Sequence, residues 1–589
     1  MREKTALLID GYVDEPACFG VPPYISPYVR YCAGVLAANG WETKYVICDE
    51  WRTDKERFEG EMAESEIVLV IMGTTVPGRY RGGSPLTFRE LGEIASRKRR
   101  GGHLILGGPV RWGYTLRGGG RAAADVPEGV DLVARGDVEA SLDIYCRTKE
   151  WEPHARAVYA WLDGERVAVL GADIMKSHPS YPNVIAEMEL SRGCDRAFST
   201  GLSCSYCTEG INGRYEERGT EGVLSETAAL SAAGITAYRL GKCANILAWG
   251  GIREDIGFRP RPERLYDLYS GIRSTAQNLS VLHTDNCNPA TIARFPHESA
   301  RCVEIIADFC TEGDGLSQGL ENLDPNVRAA NRLKVSFEEA LTAVRIINEH
   351  GGWRRSPRSL PSLLPGLNFL FGLAGETASG LEWNTNFLRK LLEEGLSVRR
   401  INIRRAMVFP DAALWAELAV NPPRIKERDY RRWKKWVRDE VDPAMLARVA
   451  PDGTILKGVI AEERAGKVMF GRQLGSYPPL VGIVSENMRA GDRADVMVTG
   501  RGGRSLTAVR YPLDINTATK AELMALPGIG SARAEFLLSK VPCRSSRDVE
   551  AALAQMDLPE AGSRLMPYFK KFTQKIPSKN SLNMFRNFS

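Results

Sequence analysis

Cys194, Cys204 and Cys207 constrain this chain more than any other residues, in the run Cys194-Asp-Arg-Ala-Phe-Ser-Thr-Gly-Leu-Ser-Cys204-Ser-Tyr-Cys207-Thr-Glu-Gly210. Three thiolates can hold three irons of a four-iron cubane and leave the fourth iron without a protein ligand. That vacancy lets a small molecule chelate the cluster and receive an electron from it. Glycines on both sides let the loop wrap the cluster with backbone N–H groups facing its sulfides. Other readings compete. A zinc site normally wants four Cys or His ligands, and no His or fourth Cys lies at ligand spacing nearby. A thioredoxin-like Cys-x-x-Cys needs neither the third thiol nor the glycine frame. Three unrelated buried cysteines are the plainest alternative.

The 589 residues are enough for several domains, since one domain takes about 100–200. Apolar content of 43% and charged content of 26% are ordinary for a soluble globular chain. No run of 18 or more apolar residues appears, and the N-terminus breaks into a polar turn too soon for a signal peptide. A cytoplasmic protein is therefore expected, with the nine cysteines outside the loop as buried reduced thiols. The formal charge of +5 is local. Residues 424–438 carry a net +6, which leaves about −1 for everything else.

Strand-like apolar runs over 5–9, 43–48, 67–72, 103–106 and 131–134 alternate with segments of helical length. Such alternation predicts an open parallel sheet flanked by helices, which binds ligands at the carboxyl ends of its strands. The turns at those ends are Asp10-Gly11-Tyr12, Gly73-Thr74-Thr75-Val76-Pro77-Gly78, Gly107-Gly108-Pro109 and Arg135-Gly136-Asp137. None is a Gly-x-Gly-x-x-Gly before a helix, so a large flat ligand suits them better than a nucleotide. The alternative is a purely structural sheet. A hairpin around Asp163-Gly164 is expected next, with strands over 158–162 and 167–170. From 186 to 415 a second series begins, with strands over 187–190, 237–240, 280–282, 367–371 and 401–408. It predicts a barrel or half-barrel with functional groups at the strand C-termini. Residues 424–438 read as a basic helix with Tyr430, Trp433 and Trp436 at a spacing of three. Three roles are open to it: an aromatic edge packed on the barrel, a nucleic-acid surface, or a dock for a protein substrate. Beyond it lie a Gly- and Val-rich β module and a helical tail.

The cysteine loop, with Tyr206 just before its last cysteine, resembles the radical S-adenosylmethionine (SAM) superfamily, although the first gap there is three residues and here it is nine. Gly319-Leu-Glu321-Asn and Leu364-Pro-Gly-Leu-Asn-Phe-Leu-Phe-Gly372 resemble the later barrel strands of cobalamin-associated members. Residues 1–150 resemble their cobalamin-binding domain, through Val76-Pro77-Gly78-Arg79-Tyr80 and Gly107-Gly108-Pro109. The tail run with Pro527-Gly528-Ile-Gly530 resembles a helix-hairpin-helix. The resemblance implies an α/β chain. It has a Rossmann-like cobalamin-binding domain (1–150), a connector (151–185), a radical SAM partial (β/α) barrel (186–415), a basic helical segment (416–454), a small β module (455–510) and a helix-hairpin-helix domain (511–589).

The resemblance also implies cofactors and roles. Cys194, Cys204 and Cys207 are expected to hold a [4Fe-4S] cluster, and Tyr206, Gly241, Gln318, Glu321 and Arg404 to hold SAM. Thr74, Thr75, Val76, Pro77, Arg79, Tyr80, Gly107, Gly108, Pro109 and Gly136 are expected to hold cobalamin. His283, Asp285 and Asn286 are expected to face substrate or to cap a turn. No Asp-x-His-x-x-Gly occurs in 1–150, and His103 is that region's single histidine, so cobalamin without a histidine below the metal is expected. The implied activity is C-methylation of an unactivated sp3 carbon of a protein residue, driven by an external electron donor. The target expected is a glutamine Cα in the α subunit of methyl-coenzyme M reductase. Radical modification of tRNA is the alternative, and a scaffold with a structural cluster is a third class.

Overall fold

A computed structural model describes residues 4–13, 23–74, 84–98, 101–116, 118–123, 125–211, 213–558 and 560–570. The chain divides into two compact units. The first holds residues 1–451 together with Arg472–Leu480, and the second holds Asp452–Gly471 with residues 481–589.

The first unit opens on a parallel sheet of β1 (Thr5–Asp10), β2 (Glu42–Ile47), β3 (Ile67–Ile71), β4 (His103–Gly107) and β5 (Leu132–Val133). Their spatial order is β2-β1-β3-β4-β5, all parallel. Successive side chains leave a strand on opposite faces, and both faces are buried. Leu7, Ile9, Val68, Val70, Leu104 and Leu106 meet Trp51, Phe58 and Ile94 on one side. Ala6, Leu8, Leu69 and Ile105 meet the helices Pro27–Ala38 and Val138–Thr148 on the other. Double-sided burial is why these strands read as continuous apolar runs. The strand order reverses between β1 and β3, the place where open parallel sheets leave a crevice.

The expected hairpin around Asp163-Gly164 is instead a pair of helices, Tyr159–Gly164 and Val167–Leu170. The cause is tertiary. The segment lies along the helix Pro27–Ala38 at backbone contact, where a Cβ on Gly34 would come 1.9 Å from the Val167 carbonyl oxygen. A Cβ on Gly171 would come equally close, 1.9 Å, to the Arg30 oxygen.

A second series of parallel strands follows: β6 (Ile185–Glu189), β7 (Ala237–Lys242), β8 (Val281–Thr284), β9 (Asn286–Cys287), β10 (Asp314–Glu321), β11 (Leu363–Phe371) and β12 (Arg400–Arg405). The ladders β6-β7-β8 and β9-β10-β11-β12 meet at Asp285, whose carbonyl accepts from Ser317 N–H at 2.6 Å. The result is a curved, open half-barrel with its connecting helices outside. Its β6 edge is covered by Tyr24–Ile25, in parallel pairing. The fully buried Arg30 ties the two parts of the unit together, reaching the Glu187 carbonyl at 2.7 Å and Glu226 at 2.6 Å.

The basic helix is present as Glu427–Trp436, and its aromatic edge packs on the barrel. Trp433 lies 5.4 Å from Phe369, and Tyr430 lies 4.9 Å from Phe371. In the second unit, strands β13 (Ile455–Ala465), β14 (Val468–Arg472), β15 (Leu480–Val484), β16 (Arg493–Arg501) and β17 (Ser505–Arg510) close a barrel in the order β13-β14-β15-β17-β16. Short helices between Lys520 and Leu565 pack with it around Met497, Val509, Leu523, Leu537 and Leu553. No helix among the described residues is long and apolar enough to cross a membrane.

Candidate functional site

The cysteine loop begins on a short strand, Ser191–Gly193, paired antiparallel with Tyr215–Glu217. Gly193 has φ +84, and a Cβ there would stand 1.6 Å from the Arg214 carbonyl oxygen, so the residue must be glycine. Cys194 caps the helix Asp195–Thr200, whose Ala197 N–H points at its Sγ from 3.5 Å. That helix ends at Gly201 with φ +71. The nine-residue gap is therefore a helical excursion that returns the chain to Cys204. Ser205 is pinned from outside, its N–H on the Asn331 carbonyl at 3.0 Å and its hydroxyl on Asn331 Oδ1 at 2.9 Å. The Glu209 carboxylate accepts from Gly193 N–H at 3.1 Å and closes the loop.

Burial pushes the Cys194 thiol up to about 11, with Asp195 adding to it and Lys334 opposing. Burial also raises Cys204, against Lys334 and Arg196, and it raises Cys207, where the other two thiols add to the effect. Three half-buried thiols thus share one space that disfavours their ionisation, and a positive charge beside them favours it. Iron supplies such a charge, and metal binding pulls the protons off. Among the described residues, no three His, Cys, Asp or Glu side chains converge on a single-ion position. A cubane asks for no such point, because each thiolate binds a different iron. The donor set fits the cluster.

The loop sits beside the carboxyl ends of β10 and β12. Glu321 closes β10 with φ +59, a strained value for a non-glycine residue. Burial raises its pKa, opposed by Lys334, the Tyr206 hydroxyl and Arg404. Burial works to lower Lys334, yet Cys204, Glu321, Cys194 and Cys207 together push it above its ordinary value. Both side chains crowd Gly319, where a Cβ would come 2.5 Å from Glu321 Oε1 and 3.3 Å from Lys334 Nζ. Among the described residues the buried Gln318 amide has no nitrogen or oxygen partner, and it faces the Cys287 thiol. A buried, unpaired amide beside a half-barrel opening suits the polar part of a ligand such as SAM. Cys194, Cys204, Cys207, Tyr206, Gln318, Glu321 and Arg404 are thus gathered at one end of the barrel. Lys334 joins them without any sign in the sequence, because a lone lysine after a polar turn carries no pattern.

His283 and Asp285 lie deeper, inside the barrel. The Asp285 carboxylate meets Arg239 and accepts from the Ser317 hydroxyl at 2.7 Å. Arg239 also reaches Glu187 at 3.1 Å. Asn286 turns away, its amide 3.3 Å from the carbonyls of Gly241 and Cys243. The partners of His283 come from 472–480. Ser476 N–H donates to His283 Nδ1 at 2.8 Å, and the Ser476 hydroxyl accepts from Arg239 Nε at 3.1 Å. Tyr477 hydrogen-bonds Asp285 and lies under the Arg400 guanidinium, 4.4 Å from its ring centre. Arg400 opens β12, and His283 backs onto Thr311 and Glu312, which lead into β10. This short segment therefore stops the barrel toward the amino ends of its strands. No apolar period or motif announced it.

At the carboxyl ends of the N-terminal sheet, Thr74 is buried and its carbonyl accepts from Thr115 N–H at 2.9 Å. Gly107 and Gly136 pack on Val138 and on the main chain at 154–155. Gly108 and Pro109 turn the chain past Met72 into a short 3-10 helix, with Gly108 at φ +98. Thr75, Val76, Pro77, Arg79 and Tyr80 lie outside the described residues. Asp10, at the reversal point, is buried and its carboxyl is pushed up to about 6 by that burial. It accepts from Tyr12 N–H at 2.9 Å and from the Tyr45 hydroxyl at 3.0 Å. His103 is the first residue of β4, at the opposite end of that strand from Gly107.

No protein-family model matches the chain. An uncharacterized protein of Methanocaldococcus jannaschii is 37% identical over 510 residues, covering 85% of this chain and 92% of the relative. An uncharacterized protein of Archaeoglobus fulgidus is 34% identical over 543 residues, covering 91% and 93%. Among solved structures, the apo, selenomethionine-labelled cobalamin-dependent S-adenosylmethionine radical enzyme OxsB matches with a TM-score of 0.50 at 10% identity. That match covers 75% of this chain and 67% of the other, and at such identity it shows the fold alone.

Proposed function

The chain belongs to the archaeal family of these Methanocaldococcus and Archaeoglobus proteins, and we propose that it is a cobalamin-dependent radical SAM C-methyltransferase. The observation that carries this is the three-thiol loop at the carboxyl end of a parallel half-barrel that shares its fold with OxsB. Bound there, a [4Fe-4S] cluster would supply one electron to SAM cleavage, while cobalamin at the N-terminal sheet would supply a transferable methyl group.

The chain's own residues bind, orient and exclude water. Cys194, Cys204 and Cys207 hold the cluster, and Lys334 and Arg196 offset thiolate charge. Gln318 offers a buried amide, and Glu321, Arg404 and Tyr206 fix polar groups of SAM at the opening. Gly107, Gly108, Pro109, Gly136 and Thr74 would form the floor for cobalamin, and Thr75, Val76, Pro77, Arg79 and Tyr80 follow Thr74 in the sequence. His103 opens its strand at the end away from Gly107, and cobalamin bound at the Gly107 end would be held without a histidine from this strand. The Leu474–Tyr477 stretch keeps water from the barrel's lower end. The substrate is a protein residue with an unactivated sp3 carbon, and glutamine Cα in the α subunit of methyl-coenzyme M reductase is our first target. Radical modification of tRNA is the second reading, favoured by the closed five-stranded barrel of the second unit, an architecture related to oligonucleotide-binding barrels.

The test is anaerobic reconstitution with iron, sulfide and cobalamin, followed by dithionite and SAM. Four irons per chain and release of 5′-deoxyadenosine are expected. Peptide mass spectrometry of methyl-coenzyme M reductase from a strain lacking the gene then checks the target, since an unchanged methylglutamine rejects it. A zinc-bound chain that leaves SAM intact rejects the enzyme.

A further inference from the structure

The N-terminal sheet and the half-barrel meet in a buried knot of charge. Asp137 follows Gly136 in the turn beyond β5, and Arg192 precedes Gly193 and Cys194 at the start of the cysteine loop. Both side chains are buried, as are those of Glu139 and Glu189. The Arg192 guanidinium stands 3.3 Å from Asp137, 2.7 Å from Glu139 and 2.8 Å from Glu189, the last residue of β6. Lys242 approaches the same Glu189 at 4.0 Å. Asp137 meets two further arginines. Arg214, whose carbonyl crowds Gly193, donates to it at 2.6 Å. Arg111, on the 3-10 helix that begins at Pro109, stands 3.3 Å from it and also donates to the Gly136 carbonyl. The connector closes the frame, with Ala157 N–H donating to Asp137 at 3.0 Å and the Ala157 carbonyl accepting from Arg214 at 3.0 Å.

Burying so many charges is a poor route to stability, because desolvation cancels most of the attraction. What such a network supplies is geometry. A guanidinium is a rigid planar fork, and carboxylates set around it are all satisfied in one relative arrangement only. Arg192 shares its fork between Asp137 and Glu139 on the side of the N-terminal sheet and Glu189 on the side of the barrel. Sliding the 135–137 turn along the 191–193 strand would leave one of these carboxylates buried without its cation. The segments locked in this way carry Gly136 at one end and Cys194 at the other. We propose that Arg192 and Asp137 are positioning residues that hold the cobalamin floor in register with the cysteine loop, acting through the turn and the loop. This rests on the cobalamin and cluster readings given above. A reaction that brings two cofactors to one carbon is sensitive to such register, since a misplacement of about 1 Å costs on the order of 100-fold in rate.

The experiment compares the full chain, reconstituted with iron, sulfide and cob(II)alamin, as wild type, Asp137→Asn and Arg192→Lys. Asparagine keeps the shape of Asp137 and removes its charge, whereas lysine keeps the charge of Arg192 and removes its fork. Pulsed electron paramagnetic resonance reads the separation between the reduced cluster and cob(II)alamin. A single narrow distribution is expected in wild type. In both variants it should shift or broaden by about 1 Å, while iron content, dithionite-driven 5′-deoxyadenosine formation and the unfolding midpoint stay near wild type. Wild-type separations in both variants would overturn the proposal. A wild-type separation in Arg192→Lys alone would overturn it too, because charge without the fork would then suffice. So would joint loss of iron, cobalamin and thermal stability, because the network would then serve folding only. If wild type takes up iron but no cobalamin, the methyltransferase reading fails by itself, and hydrogen exchange on the iron-loaded chain decides the rest. Faster exchange in the variants at both Ala157 and Ser191–Gly193 supports a strut between turn and loop, and unchanged exchange there rejects it.

Discussion

Ser476 donates its backbone N–H to Nδ1 of His283 at 2.8 Å, across 193 residues of chain. Because Nδ1 accepts, the ring proton sits on Nε2 and the imidazole is neutral. Burial, with Arg399 and Arg239, pushes its pKa down to about 3. In the unfolded chain the group titrates near 6.5, so between those values the unfolded state binds more protons. Stability is then full above about pH 6.5 and falls as pH drops toward 3. The stability difference between wild type and His283→Asn across this window should show that slope, because the raised carboxyls of Asp10 and Asp314, which act in the opposite sense, are common to both.

Cys204→Ala should lose bound iron and 5′-deoxyadenosine formation together. Cys302, buried on an outer helix, is the control, and Cys302→Ala should keep its iron at some cost in stability. Iron content and electron paramagnetic resonance after reconstitution check both.

Lys334→Met should lower the reduction potential of the cluster. The ammonium acts on all three thiols and favours the more negative, reduced state. Its removal is expected to shift the midpoint downward by on the order of 100 mV, for a unit charge in a partly screened interior. Lys334→Arg should recover most of it. A redox titration followed by electron paramagnetic resonance reads the shift, which a merely structural defect would not produce.

Gly34→Ala should destabilise the first unit by about 2–3 kcal/mol. A Cβ there would stand 1.9 Å from the Val167 carbonyl oxygen, and backbone cannot step aside as a side-chain tip can. Gly171→Ala should behave alike, while Gly164→Ala, whose Cβ meets nothing within 4 Å, should be harmless. Differential scanning calorimetry separates the three.

The sequence was legible where burial is continuous along a strand. Runs such as Ala6-Leu-Leu-Ile9 and Ile67-Val-Leu-Val-Ile71 are apolar on both faces because helices cover both, and their strands stand where expected. Residues 158–170 misled because the contact that makes them helical is made by Gly34 and Gly171, which have no side chain to signal it. Strand β10 was hidden for the opposite reason. Asp314, Ser317 and Gln318 give it low strand propensity, yet their polar groups are wanted inside the barrel. Of the residues around the cysteines, Arg404 sits in a recognisable strand and Gln318 and Glu321 adjoin or lie in the Gly319-Leu-Glu321-Asn run that carried the resemblance, whereas Lys334 has no such signal. The basic helix shows how one pattern serves several readings until packing decides, with Tyr430 and Trp433 spent on Phe371 and Phe369.

The Ser476 stopper also sets an order of events during synthesis. The half-barrel strands are complete by residue 405, but the partners of His283 and Asp285 arrive only with residues 476 and 477 of 589. A chain that stops short of residue 476 therefore leaves His283 Nδ1 without its backbone donor and the Asp285 carboxylate without the Tyr477 hydroxyl.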